Sequence, residues 1–223
     1  MKLYPSILTS SIDEYRDQLS LVVESNAIEV VQVDVIDGSF ADNLTLSPLD
    51  MTNIEYDDLT LDFHLMADEP MDFVQEIVSI KEDLPVRAVI AQVERMSHQD
   101  DYCQEVKNNN WQVGLSLDLH TPVEAIDPES WDLLDVVQIM TIEAGFQGQK
   151  FNQQALKKIE SIRQLAKKKV EIIVDGGVKE ELIQILDQAG VNGVVMGSAL
   201  WQAADPVLAI SKYSQLLNQT ESD

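Results

Sequence analysis

Apolar, β-branched runs alternate with stretches of helical spacing along the whole chain. Residues 4–8, 28–36, 59–66, 86–93, 111–117, 133–142, 170–174 and 193–196 fit strands. Between them, 12–24, 71–80, 98–107, 152–167, 179–188 and 203–217 carry helical spacing, and a further short helix is expected at Pro122. Ser10 or Ser11 suits the cap of the first helix, and Pro122 suits a first helical turn. The 152–167 segment reads as the clearest helix, with a basic end that suits the helix dipole. Residues 38–58 are polar, acidic and interrupted by Pro48, with room for at most a short helix. Residues 218–223 read as a fraying tail.

Eight strands alternating with eight helical segments predict a single-domain α/β fold, a closed (β/α)8 TIM barrel over residues 1–223. An open doubly wound sheet is the alternative. It is disfavoured because no Gly-x-Gly-x-x-Gly run follows the first strand.

In such a barrel the active site lies at the C-terminal ends of the strands. The second strand alternates Val31, Val33 and Val35 with Gln32 and Asp34, so the acid shares a face with a carboxamide. Asp37 follows it. The first strand end carries Ser6, the third Asp62, His64 and Met66, and the fourth Gln92 and Glu94. The fifth carries Asp118 and His120, and the sixth Met140. Asp175-Gly176-Gly177 ends the seventh strand and Gly197-Ser198 the eighth.

Paired glycines after strand seven and Gly-Ser after strand eight let backbone N–H groups turn toward one oxyanion, where barrels commonly bind phosphate. Neither turn contains lysine or arginine, so such binding rests on backbone dipoles. Tight βα turns are the plain alternative. Gly145, Phe146 and Gly148, between strand six and a helix, suit a lid that excludes water on closing. Met66 and Met140 would line the apolar side beside it. Asp34 and Asp175 can flank a substrate and exchange a proton between its two faces, as epimerisation next to a carbonyl requires. His64 converges with them into an imidazole and carboxylate set suited to a metal or to polarising a carbonyl.

Composition narrows the partners. A formal net charge of -24 repels nucleic acid and anionic membranes, so a phosphate site must be built locally. Cys103 is the sole cysteine, which excludes an internal disulfide and fits a reducing, cytoplasmic setting. The opening residues match neither a signal peptide nor a membrane anchor.

The motifs together resemble the ribulose-phosphate 3-epimerase family, nearly end to end. Pro5-Ser6-Ile7-Leu8 is similar to its first strand, and Asp34-Val35-Ile36-Asp37-Gly38-Ser39-Phe40, with Asn43 and Thr45, to its second. Asp62-Phe63-His64-Leu65-Met66, the 140–151 stretch from Met140 to Phe151, Val174-Asp175-Gly176-Gly177-Val178 and Gly197-Ser198-Ala199 complete the match. The resemblance implies a homo-oligomeric barrel that inverts C3 of a ketopentose 5-phosphate, with Asp34 and Asp175 as proton-transfer groups. It implies substrate contacts at Ser6, His64, Met66, Met140, Gly145, Phe146, Gly148, Gly176, Gly177, Gly197 and Ser198. It also implies a divalent metal ion held by Asp34, His64 and Asp175.

The chain departs from the family at the site. Gln32 stands where the family has its first metal histidine, and Gln92-Val93-Glu94 where it has His-Pro-Glu. Ala144 replaces a proline, Ile36 a methionine, and the segment after strand two is shortened. A carboxamide is a weaker, harder ligand than imidazole. Two alternatives to an epimerase therefore stand: a non-catalytic sugar-phosphate binder and a β-keto acid decarboxylase of a related barrel type. The second needs an Asp-x-Lys-x-x-Asp run, which this chain lacks.

Overall fold

The computed structural model describes residues 1–146, 148–166 and 169–219. Eight parallel strands close into one barrel in sequence order, with β1 pairing β8. They are β1 (Lys2–Ile7), β2 (Val30–Ile36), β3 (Thr60–Met66), β4 (Val86–Gln92), β5 (Gln112–Leu117), β6 (Val136–Met140), β7 (Glu171–Asp175) and β8 (Gly193–Met196). The α-helices are α1 (Ile12–Ser25), α2 (Met71–Ser79), α3 (Gln99–Asn108), α4 (Lys158–Leu165), α5 (Ile183–Gln188), α6 (Ser198–Trp201) and α7 (Pro206–Gln219). Among the described residues no helix is long and apolar enough to cross a membrane.

Alternation along each strand sorts the side chains. Val31, Val33 and Val35 join the apolar layer beneath the helices, while Val30, Gln32 and Asp34 point inward. Inside the barrel, Tyr4, Val30, Ala88, Ile90, Val136, Ile173 and Val195 form an apolar floor. Two glycines make room for it. A Cβ at Gly114 would strike Ile90 at 2.5 Å, and one at Gly193 would strike the Tyr4 ring at 2.4 Å.

The helical side is less regular than the sequence pattern predicts. No α-helix follows β2, only a 3-10 turn at Pro48–Met51, and two such turns, Val123–Ala125 and Ser130–Asp132, replace the helix after β5. Pro122 precedes the first of these as its cap. The segment expected as the clearest helix opens as a 3-10 turn, Gln153–Lys157, where the Asn152 side chain accepts the Gln154 N–H, and only then becomes α4. Its apolar stripe survives, because Ala155, Ile159 and Ile162 stay on the buried face. Arg163 in its last turn donates instead to the Val170 and Gly190 carbonyls. Lys167 lies outside the described residues. Of the expected tail, Asn218 and Gln219 continue α7, and 220–223 lie outside the described residues.

Asp62 is the main displacement from expectation. It sits at the opposite end of the barrel from the Asp34 layer. The β3–β4 register slips there, pairing Leu61 with Val86 and Asp62 with Ala88, so Arg87 is the extra residue of a bulge. Arg87 turns in and forms a two-pronged ion pair with Asp62, donating through Nε at 2.8 Å and through its second nitrogen. It also reaches Gln112 and Glu171 and lies over the Tyr4 ring. Asp62 is a structural charge beneath the floor.

Candidate active site

Above the floor the inward-facing residues are polar. Gln32 and Asp34 from β2, His64 from β3, Gln92 from β4, Ser116 from β5, Gln138 from β6 and Asp175 from β7 are all buried. The Gln32 amide stands between the two acids, donating to Asp34 Oδ1 at 2.8 Å and to Asp175 Oδ2 at 2.9 Å. Gln138 Nε2 donates to the same Asp175 oxygen at 2.9 Å. His64 Nδ1 lies 3.0 Å from Asp34 Oδ1 and 3.7 Å from Asp175 Oδ2. Gln92 Nε2 lies 3.1 Å from the other ring nitrogen. Each acid therefore commits one oxygen to this network. Among the described residues, Asp34 Oδ2 and Asp175 Oδ1 receive no hydrogen bond.

The electrostatics follow from burial of like charges. Desolvation, then the charge of Asp34, pushes the Asp175 carboxyl up to about 7, against the opposing pull of His64 and of the Gln32 N–H. Burial beside Asp34 thus favours the protonated form of Asp175. Burial works against a charged His64, yet the hydrogen bond and charge of Asp34, with the charge of Asp175, lift its pKa above the ordinary value.

Asp34, His64 and Asp175 each offer a ligand atom, all within 4.8 Å of one another. Two carboxylates and an imidazole are a fitting donor set for a divalent cation. Gln32 faces the same point, but with its N–H groups. An ion there would have to displace the amide bridge between the acids.

A cleft of about 510 Å³, its open mouth included, opens over this layer. Ser6, Asp34, His64, Met66, Met140 and Asp175 line its base, and Gly176, Gly177, Gly197 and Ser198 one wall. Gly145, Phe146 and Gly148 also line the cleft, with Phe146 about half exposed. Gly176 and Gly177 have φ of +111° and +65°. A Cβ at Gly177 would meet the Phe151 nitrogen at 2.5 Å, so the turn admits only glycine against the segment leaving the lid. Trp201 Nε1 donates to the Ser6 carbonyl at 2.8 Å and ties the first strand end to α6.

Comparison with known proteins decides the family. The model of the "Ribulose-phosphate 3 epimerase family" matches residues 2–201. The chain belongs to this family. A ribulose-phosphate 3-epimerase of Bacillus subtilis is 34% identical over 217 residues, covering 95% of this chain and 97% of that one. The chloroplastic ribulose-5-phosphate-3-epimerase of Arabidopsis thaliana is also 34% identical, with 92% and 73% covered. A Helicobacter pylori ribulose-phosphate 3-epimerase is 32% identical, with 94% and 95% covered. Among solved structures, a 3-hexulose-6-phosphate synthase superposes with a TM-score of 0.67 at 18% identity, covering 99% of each chain. Phosphoribosyl anthranilate isomerase of Thermus thermophilus gives 0.65 at 12%, covering 98% of this chain and 99% of that one. These two likenesses establish the barrel fold. Family membership makes the chain a carbohydrate epimerase by class.

The two acids and the substrate contacts implied by the family resemblance all lie around this cleft. Gln32 is just beneath it, in contact with both acids. Gln147 lies outside the described residues. Asp37 does not join the site: its carboxylate accepts N–H groups of Ser39, Phe40 and Asp68 and fastens the loop after β2. Partial burial opposes its ionisation, but those N–H groups hold its pKa below the usual value. Asp118 supports the lid from outside, accepting the Ala144 N–H at 3.1 Å. Gln138 was missed, although its two-residue spacing from Met140 places it on the same inward face of β6.

Proposed function

We propose that this chain inverts C3 of a ketopentose 5-phosphate, interconverting D-ribulose 5-phosphate and D-xylulose 5-phosphate or a related pair. The observation that carries this is the pairing of Asp34 and Asp175 through one amide at the base of the cleft, each with a second oxygen that receives no hydrogen bond among the described residues. One carboxylate removes the C3 proton from one face, and the other delivers a proton to the opposite face. Asp175, whose pKa burial and Asp34 raise, is the acid disposed to hold the proton for delivery. His64, Gln32 and Gln138 orient the two acids and hold their committed oxygens. Backbone N–H groups of the Gly176–Gly177 and Gly197–Ser198 turns take the phosphate. Met66 and Met140 pack on the sugar, and Gly145, Phe146 and Gly148 close over it to exclude water. A divalent ion held by Asp34, His64 and Asp175 would stabilise the negative charge that develops on the enediolate oxygens.

The same reading includes a cytoplasmic homo-oligomer, for which sedimentation velocity is the direct test. The catalytic test is incubation with D-ribulose 5-phosphate in deuterated water, with and without added Mg²⁺, Mn²⁺ or Zn²⁺. Incorporation of deuterium at C3, lost in Asp34→Asn and Asp175→Asn, is expected. Binding of the sugar phosphate without exchange under any of these ions would refute the epimerase and leave a sugar-phosphate binder. The loss of two family histidines, to Gln32 and Gln92, favours that alternative.

A further inference from the structure

Contacts of Asn43 and Thr45 link the lid on one side and strand β2 on the other. Asn43 Nδ2 donates to the Gly145 carbonyl at 3.0 Å. Two residues on, Thr45 Oγ1 donates to the Asp34 carbonyl at 2.9 Å and accepts the Ile36 N–H at 2.9 Å. The lid also rests on this loop by shape. A Cβ at Gly145 would meet the Ala41 methyl at 2.5 Å, and Gly145 has a φ of +106°. The loop is braced where it carries these contacts: Asn43 Oδ1 accepts the Leu44 N–H at 3.0 Å, and Leu44 bridges back to Asp37.

We infer that Asn43 is a positioning residue that latches the lid and, through Thr45, couples lid closure to the placement of Asp34. The coupling needs no long chain of contacts. Only Leu44 separates the residue that grips the lid from the residue that grips the strand carrying the acid. Gly145 supplies the grip because its carbonyl is presented where a side chain would hold the lid away from Ala41. When the lid lifts, Asn43 loses its partner while Thr45 keeps its hold on the Asp34 carbonyl, so the change is felt one residue away from that hold. Closure thereby stiffens the loop segment that holds the Asp34 backbone. This rests on the epimerase reading for its kinetic consequence but not for the contact itself.

The test pairs a substrate-free measurement with kinetics on the full chain. Hydrogen–deuterium exchange in Asn43→Ala should rise in peptides covering 143–149 and 34–46, with other segments unchanged. In the C3 exchange assay, Asn43→Ala and Gly145→Ala should each lower kcat by roughly 10-fold, the equivalent of one lost hydrogen bond. Their double variant should fall little further, because both break one contact. Ala41→Gly should restore part of the Gly145→Ala loss by removing the methyl that the new Cβ meets. Unchanged exchange in both segments would overturn the latch whatever the enzyme's activity. Fully additive kinetic losses, or no rescue by Ala41→Gly, would also overturn it. An inactive wild type with the expected exchange pattern would count against the epimerase reading and for the latch.

Discussion

Arg87→Met tests the structural half of the barrel interior. Arg87 is the bulge residue that neutralises Asp62, whose side chain is only 2% exposed and whose two oxygens both take guanidinium N–H groups. Methionine fills much of the same volume but leaves Asp62 buried and unpaired, with Glu171 nearby. Breaking a buried pair in this way costs about 3–5 kcal/mol. For a chain of this length that corresponds to a fall in Tm on the order of 6–20 °C. The pH dependence has a definite sign. Burial already raises the Asp62 pKa, with Arg87 pulling it down, so losing Arg87 raises the folded-state value further above the unfolded one. A raised folded pKa favours the fold below the unfolded value and is lost as pH rises through the folded value. The deficit of Arg87→Met should therefore be largest at neutral and alkaline pH and shrink on mild acidification, as Asp62 takes up a proton. Urea melts of wild type, Arg87→Met and Arg87→Met/Asp62→Leu at pH 5 and pH 8 measure this. The double variant should recover most of the loss. A deficit below about 1 kcal/mol, or one equal at both pH values, would refute the account.

The site makes further predictions. Gln32→His should tighten Zn²⁺ or Mn²⁺ binding at least about tenfold by titration calorimetry, since imidazole replaces an amide that now turns its N–H groups toward the acids; unchanged affinity would show that residue 32 takes no part. Asp175→Asn should be more stable than wild type at pH 8, by on the order of a few kcal/mol, because burial charges the acid unfavourably. That advantage should fade toward pH 5, below the folded value of about 7, and a pH-independent difference would count against a raised Asp175. Gln138→Leu should lower C3 exchange by about tenfold with KM little changed, since the amide holds an acid rather than the sugar; a change confined to KM would place Gln138 on the substrate instead.

The barrel was legible because its signals are local. Most strands are short apolar runs followed by a glycine or an acid, and the inward face can be counted off by twos. Asp34, His64 and Asp175 were readable on that basis, as were the glycine turns around the cleft. What escaped depends on neighbours far apart in sequence. Arg87 faces inward only because the β3–β4 register slips, and nothing in residues 86–93 announces a bulge. Gln138 carried a usable signal, its alternation with Met140, but its importance comes from Asp175, 37 positions away. The 3-10 opening before α4 keeps the same buried stripe as a regular helix would, so hydrophobic spacing could not separate the two.

The apolar floor of Tyr4, Val30, Ala88, Ile90, Val136, Ile173 and Val195 makes the barrel a cup rather than a tube. A ligand reaching the polar layer would enter through the cleft above it. Traffic through a single doorway would be sequential: if an ion sat at the base with the sugar above it, the ion would enter first and leave last. Substrate saturation should therefore protect a loaded ion from chelators, whereas a chelator added first should act freely. The order of addition becomes a kinetic readout of the floor, independent of what the ion does chemically.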